Sequence, residues 1–181
     1  TVETTVGLLA VSGLRVGELI RLNNSDVEVK QGSLVVRSSK NGTSRTVPLH
    51  SSTVEALRSY TAVRDRFFPQ PRSDSFFVST VGKQLRSGNL RDAFATVVAL
   101  AGLPARIAGQ GPRLADLRHS FAVQTLLDWH EADLDVGARL PILSTYLGHV
   151  SPASTYWYLS GSPQLLTAAA VRLERSIGGI R

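Results

Sequence analysis

The period of the apolar residues changes twice along this chain, from helix to strand and back, which limits the fold to a mainly helical one carrying a small sheet. Thr1 to Val11 reads as a helix, with Val2, Val6, Leu9 and Ala10 at helical spacing, and it breaks at Ser12-Gly13. A second helix runs through Val16, Leu19, Ile20 and Leu22 to Asn23-Asn24. Val27-Glu28-Val29, Leu34-Val35-Val36 and Thr46-Val47-Pro48-Leu49 follow as β-rich runs parted by Gly32 and by Lys40-Asn41-Gly42. Asn-Gly is a strong tight-turn signal, so these runs predict a three-stranded antiparallel sheet with Lys40 at the tip of its second hairpin.

Helical periodicity then returns. Ser51-Ser52-Thr53 can cap a helix through Val54, Leu57 and Val63 that stops before Pro69 and Pro71. Phe76-Phe77-Val78 reads as a short buried strand or extended piece, and Asn89 to Leu100 as a helix ended by Gly102 and Pro104. A long helix over Ala115 to Trp129 is expected to turn Leu117, Phe121, Leu126 and Leu127 to the core. Arg139 to Leu147 is the next, with Gly148 in the C-terminal capping position. Pro152 starts a short helix carrying Tyr156 and Tyr158, and Pro163 opens a last one over Gln164 to Ile177. The class is therefore α+β, mainly α with one three-stranded antiparallel sheet.

At 181 residues the chain is the size of one domain and can bury a core without covalent staples. It has no cysteine, which excludes disulfides, thiolate nucleophiles and cysteine zinc sites and suits a reducing cytoplasm. No apolar run approaches the roughly 18 residues that span a bilayer, so a soluble protein away from membranes is expected. The net charge is +6, and only Lys30, Lys40 and Lys83 are lysines among 20 basic residues. The planar arginine fork matches phosphate oxygens in pairs, which favours a polyanionic partner; a GC-rich genome gives the same arginine bias. The chain begins inside a helix with no initiator methionine, and it is read as a single fragment, residues 1–181, from which a preceding domain has been removed.

Two arginines stand out by their surroundings. Arg15 opens a helix three residues before Glu18, so the carboxylate can hold its guanidinium. Arg118 lies near the start of its helix, where free backbone N–H groups also favour an anion. Each alone reads as well as a surface or structural salt bridge. Tyr156 and Tyr158 lie two residues apart, and Tyr158 stands nine residues after His149.

Taken in order, the motifs resemble the catalytic domain of the tyrosine recombinases, the phage integrase family. They are Gly13-Leu14-Arg15-Val16-Gly17-Glu18-Leu19, the hairpin Lys40 to Leu49, Leu117-Arg118-His119-Ser120-Phe121-Ala122, and Leu147-Gly148-His149 with Tyr158. The resemblance implies that Arg15 and Arg118 grip a scissile phosphate and that Glu18 supports the first of them. Lys40 would be the general acid for the leaving 5′ oxygen, His149 would bond the phosphate or pack on the nucleophile, and Tyr158 would attack to form a 3′-phosphotyrosyl link. No metal or other cofactor is then required. The partner implied is double-stranded DNA, bound by a homo-oligomer, a tetramer on DNA, whose C-terminal segment 163–181 docks on a neighbouring protomer. A mobile genetic element in a bacterial cytoplasm is the expected setting.

One position departs from the pattern. The family usually places a histidine one helical turn before the second arginine, and here that residue is Ala115. Alanine can neither accept the tyrosine proton nor bind a phosphate oxygen, so strand cleavage is expected to be slow while DNA affinity persists. Either the alanine was introduced to slow the reaction or the chain is a natural divergent member; the survival of every other motif position favours the first. The alternatives are a catalytically inert DNA-binding module of the same fold and a type IB topoisomerase-like enzyme.

Overall fold

The computed structural model describes residues 1–37, 44–70, 72–103, 111–149, 151, 153–161, 165 and 167. The chain packs as two compact units, Thr1–Arg118 and His119–Arg181.

The first unit opens with α1 (Val2–Ser12), which buries Thr5, Leu8, Leu9 and Ser12 along one face. Two polar members of that face satisfy themselves locally: the Thr5 hydroxyl donates to the Val2 carbonyl at 2.7 Å and the Ser12 hydroxyl to the Leu8 carbonyl. Gly13 ends the helix in the left-handed conformation, φ 60° and ψ 18°, with its N–H on the Leu9 carbonyl. An L side chain adopts that conformation at a cost, so glycine is the natural terminator. After Leu14, α2 (Val16–Ile20) starts in a new direction.

A 3₁₀ turn over Asn24–Asp26 leads into the sheet, β1 (Val27–Glu28), β2 (Ser33–Val36) and β3 (Arg45–Pro48), antiparallel in the order β1-β2-β3. The register pairs Val27 with Leu34 and Leu34 with Val47, which lines three buried apolar residues across one face. The three expected strands are thus present, each shifted by a residue or two at its ends. The hairpin tip expected at Lys40 lies outside the described residues.

Helices α3 (Ser51–Phe67) and α4 (Ser87–Leu100) pack against α1. Between them Phe76, Phe77 and Val78 are buried, but they form no sheet strand: they lie between isolated bridges at Asn23–Ser75 and Val78–Gln84. Side chains hold this segment. The Val78 N–H donates to the Tyr60 hydroxyl at 3.0 Å, Arg64 donates to the Phe76 carbonyl at 2.7 Å, and the Tyr60, Phe76 and Phe77 rings pack with centroids 4.9–5.8 Å apart.

Helix α5 (Leu114–Glu131) begins in the first unit and continues into the second. Its buried positions are Leu114, Arg118, Ala122 and Leu126, a row at i,i+4 spacing. Of the four residues expected in the core only Leu126 is fully buried; Leu117, Phe121 and Leu127 flank the row and are half-buried. The row passes through an arginine and an alanine, which apolar periodicity does not register.

In the second unit α6 (Val136–Leu147) is capped by the Asp135 carboxylate, which accepts from the Ala138 N–H at 3.0 Å, and ends at Gly148, φ 68°. Helix α7 (Ala153–Gly161) packs on α6. Ala122, Leu126, Leu140, Leu143, Leu147, Tyr158 and Leu165 form the core. The helix expected over Gln164 to Ile177 falls outside the described residues, apart from Leu165 and Thr167. Among the described residues no helix is long and apolar enough to cross a membrane.

Candidate active site

The turn Ser12-Gly13-Leu14-Arg15 organises the first unit's share of the site. Leu14 is buried and pins the turn, which leaves Arg15 extended at the N-cap of α2. Its backbone N–H donates to Glu18 Oε2 at 2.9 Å and its guanidinium to Oε1 at 2.9 Å, the contact that the three-residue spacing predicts. Glu18 is also gripped by a second arginine. Arg45 on β3 reaches Oε1 at 3.1 Å and Oε2 at 2.8 Å, a two-pronged pair.

The Glu18 side chain is 2% exposed, Arg45 11% and Arg15 39%. Burial pushes the Glu18 carboxyl up, but the Arg45 hydrogen bonds and charge, with the Arg15 backbone and side-chain bonds, outweigh it and hold the pKa at about 2. Glu18 is therefore a fixed negative charge, and Arg15 is the more open of its two cations. Nothing in the sequence around Arg45 points to Glu18; the sheet register, which sets Arg45 opposite Val36, carries it there.

Arg118 comes to the same turn from α5. It is buried, and its guanidinium donates to the Gly13 carbonyl at 2.7 Å. Gly13 precedes Arg15 by two residues, so arginines 103 positions apart in sequence are fastened to one turn. Ala115, a helical turn before Arg118, is exposed and lines a cleft of about 620 Å³ with Gly17, Arg91, Phe94 and Arg113. Lys40 lies outside the described residues.

In the second unit Gly148 and the bond from the His149 N–H to the Ser144 carbonyl, 3.0 Å, close the end of α6 and aim His149. His149 Nδ1 lies 2.7 Å from the buried Thr155 hydroxyl. Tyr158 stacks on the His149 ring at 6.0 Å and 21°. Tyr158 is 8% exposed, whereas Tyr156, turned about 200° away around α7, is 52% exposed. His119 completes the group, its ring 5.3 Å from that of Tyr158 and 5.5 Å from that of Trp157. Nothing in the spacing of the sequence signals this contact between His119 and Tyr158.

Among the described residues no three histidine, cysteine or acidic side chains are grouped as metal ligands. The chemistry legible in these groups is anion binding at Arg15 and Arg118, and a phenol flanked by two imidazoles.

Comparison with known proteins gives the family and the fold. The sequence profile described as the Phage integrase family matches residues 2–164. The chain belongs to the phage integrase family. It represents the catalytic domain of these tyrosine recombinases. The integrase/recombinase y4rE of Sinorhizobium fredii is 45% identical over 172 residues, covering 95% of this chain and 54% of y4rE. The chain thus spans about half the length of that relative. The crystal structure of XerA recombinase superposes with a TM-score of 0.75 at 24% identity, over 94% of this chain and 62% of XerA. XerH recombinase bound to its difH substrate in a post-cleavage complex gives 0.71 at 23% identity, over 96% and 46%. At those identities the two structures speak to the fold, which is the integrase catalytic-domain fold.

Proposed function

We propose that this domain cleaves and rejoins double-stranded DNA in site-specific recombination, with Tyr158 attacking the scissile phosphate to form a 3′-phosphotyrosyl link. Arg15 and Arg118 hold the phosphate and stabilise the charge of the pentacoordinate transition state, Glu18 braces Arg15, and Lys40 protonates the leaving 5′ oxygen. His149 packs on the nucleophile. The observation that supports this reading best is the fastening of Arg15 and Arg118 to one turn, one through Glu18 and the other through the Gly13 carbonyl. The similarity to integrase/recombinase relatives supports a mobile element as the source. On DNA the protein acts as a homo-oligomer, joined by its segment 163–181.

Ala115 supports a second reading, a DNA-binding module that has lost most of its chemistry. One experiment separates the two. Duplexes of randomised sequence, each carrying a 5′-bridging phosphorothiolate that traps the cleaved strand, are enriched by capture of protein-linked DNA. The recombinase reading expects a covalent adduct that is lost in Tyr158→Phe. It also expects adduct formation to rise in Ala115→His, whose imidazole can bind a phosphate oxygen or take the tyrosine proton. DNA retention without any adduct, in both the parent chain and Ala115→His, selects the inert module.

A further inference from the structure

The second unit contains a histidine that the roles above do not use. His119 follows Arg118 in α5, one helical turn beyond Ala115 on the same face of the helix. Its ring is wedged against Trp157 and Tyr158. Its Nδ1 is buried and makes no hydrogen bond. A buried polar atom left without a partner costs about 1–3 kcal/mol, so such an atom calls for an explanation. The other imidazole on Tyr158 differs in this respect, because His149 Nδ1 is engaged by Thr155.

We propose that His119 accepts the Tyr158 proton during strand cleavage, standing in for the imidazole that is absent at 115. This rests on Tyr158 being the nucleophile. The Oη–H bond of Tyr158 breaks and the proton passes to Nδ1 of His119. Oη bonds to phosphorus as the bond from phosphorus to the 5′ oxygen breaks, and that oxygen leaves with a proton from Lys40. Rejoining reverses each transfer, and His119 returns its proton to the phenolate. Among the described residues the titratable groups around this pair are few. Helix α7 brings Tyr158 and the exposed Tyr156, and the α6–α7 link brings His149. Tyr146 and Arg139 of α6 are stacked on Phe121 and Trp129, and α5 supplies Arg118 and Asp116 on the preceding turn.

The test is the pH dependence of adduct formation with a captured phosphorothiolate duplex. Its sulfur leaves without a proton, so the rate reports deprotonation of the tyrosine alone. His119→Phe keeps an aromatic ring against Trp157 and Tyr158, and His119→Gln serves as a second variant should the first fold poorly. A free phenol ionises near pH 10 and an imidazole near 6.5. Both variants are therefore expected to be slower at pH 7 by roughly 10²–10⁴. That deficit should shrink by about tenfold per pH unit up to pH 9.5, as the phenol ionises unaided. A deficit of the same size at every pH, or no deficit, overturns the assignment to His119 and leaves a packing role. Adduct surviving in Tyr158→Phe, or no adduct from the parent chain, overturns the nucleophile reading instead.

Discussion

Replacing Glu18 by glutamine should weaken the protein in a way that acid erases. The carboxyl has a pKa of about 2 in the folded chain against 4.5 unperturbed. Each pKa unit is 1.36 kcal/mol, so the ionised carboxylate contributes about 3 kcal/mol of stability. The pKa is depressed on folding, so this contribution is fully present above pH 4.5 and disappears as pH falls through about 2. Glutamine keeps the shape and loses the charge, leaving Arg45, 11% exposed, and Arg15 facing a neutral amide. Chemical denaturation of both proteins at several pH values between 7 and 2 measures the difference. The parent should be more stable by about 3 kcal/mol at pH 7, with the gap nearly closed at pH 2, where Glu18 of the folded parent is about half protonated. Other carboxylates titrate in both proteins and cancel. A gap that stays constant over the whole range would refute the argument, because it would locate the effect in packing and not in charge.

Three further outcomes follow from the same geometry. Arg118→Lys keeps the charge but loses the fork that donates to the Gly13 carbonyl and, in the proposed reaction, to the scissile phosphate; the rate of adduct formation should fall by roughly 10²–10³, with DNA retention nearly unchanged. Gly13→Ala places a side chain at φ 60°, and thermal unfolding should show a loss of about 1–2 kcal/mol together with weakened adduct formation, since the turn carries both arginines. Leu126→Ala empties a fully buried site in the second unit and should cost about 2–5 kcal/mol by denaturant titration, with a smaller loss at the half-buried Leu127→Ala.

The sequence made the local features readable and left the distant ones obscure. The Arg15–Glu18 contact, the glycine at the end of α6 and the antiparallel hairpins each follow from rules acting within a few residues, and the structure contains all three. Arg45 is not legible in the sequence because its partner lies 27 residues away, and nothing local distinguishes an arginine that faces solvent from one whose strand register turns it onto a buried carboxylate. The core row of α5 was misread for a related reason. Periodicity counts apolar residues, and that row is completed by Arg118, whose burial is offset by the Gly13 carbonyl. His119 sits in a helix full of apolar neighbours, and its contact with Tyr158 depends on how α7 packs, which no spacing records.

In the phosphate-binding site proposed above, a buried carboxylate is at first sight a handicap, since it repels the anion that the arginines attract. Its position resolves the conflict. Arg15 and Arg45 pair with the Glu18 carboxylate and Arg118 bonds the Gly13 carbonyl of the same turn, so these four side chains keep a formal charge of +2 for the phosphodiester of the proposed reaction. Without Glu18 the arginines would repel one another, and long side chains would have to be ordered when the phosphate binds. With it, Arg45 is consumed as a structural counter-charge, and Arg15 is held at one end while staying 39% exposed at the other. The carboxylate thus converts part of the phosphate affinity into preorganisation, and electrostatic stabilisation of a transition state depends on groups aimed before the charge develops.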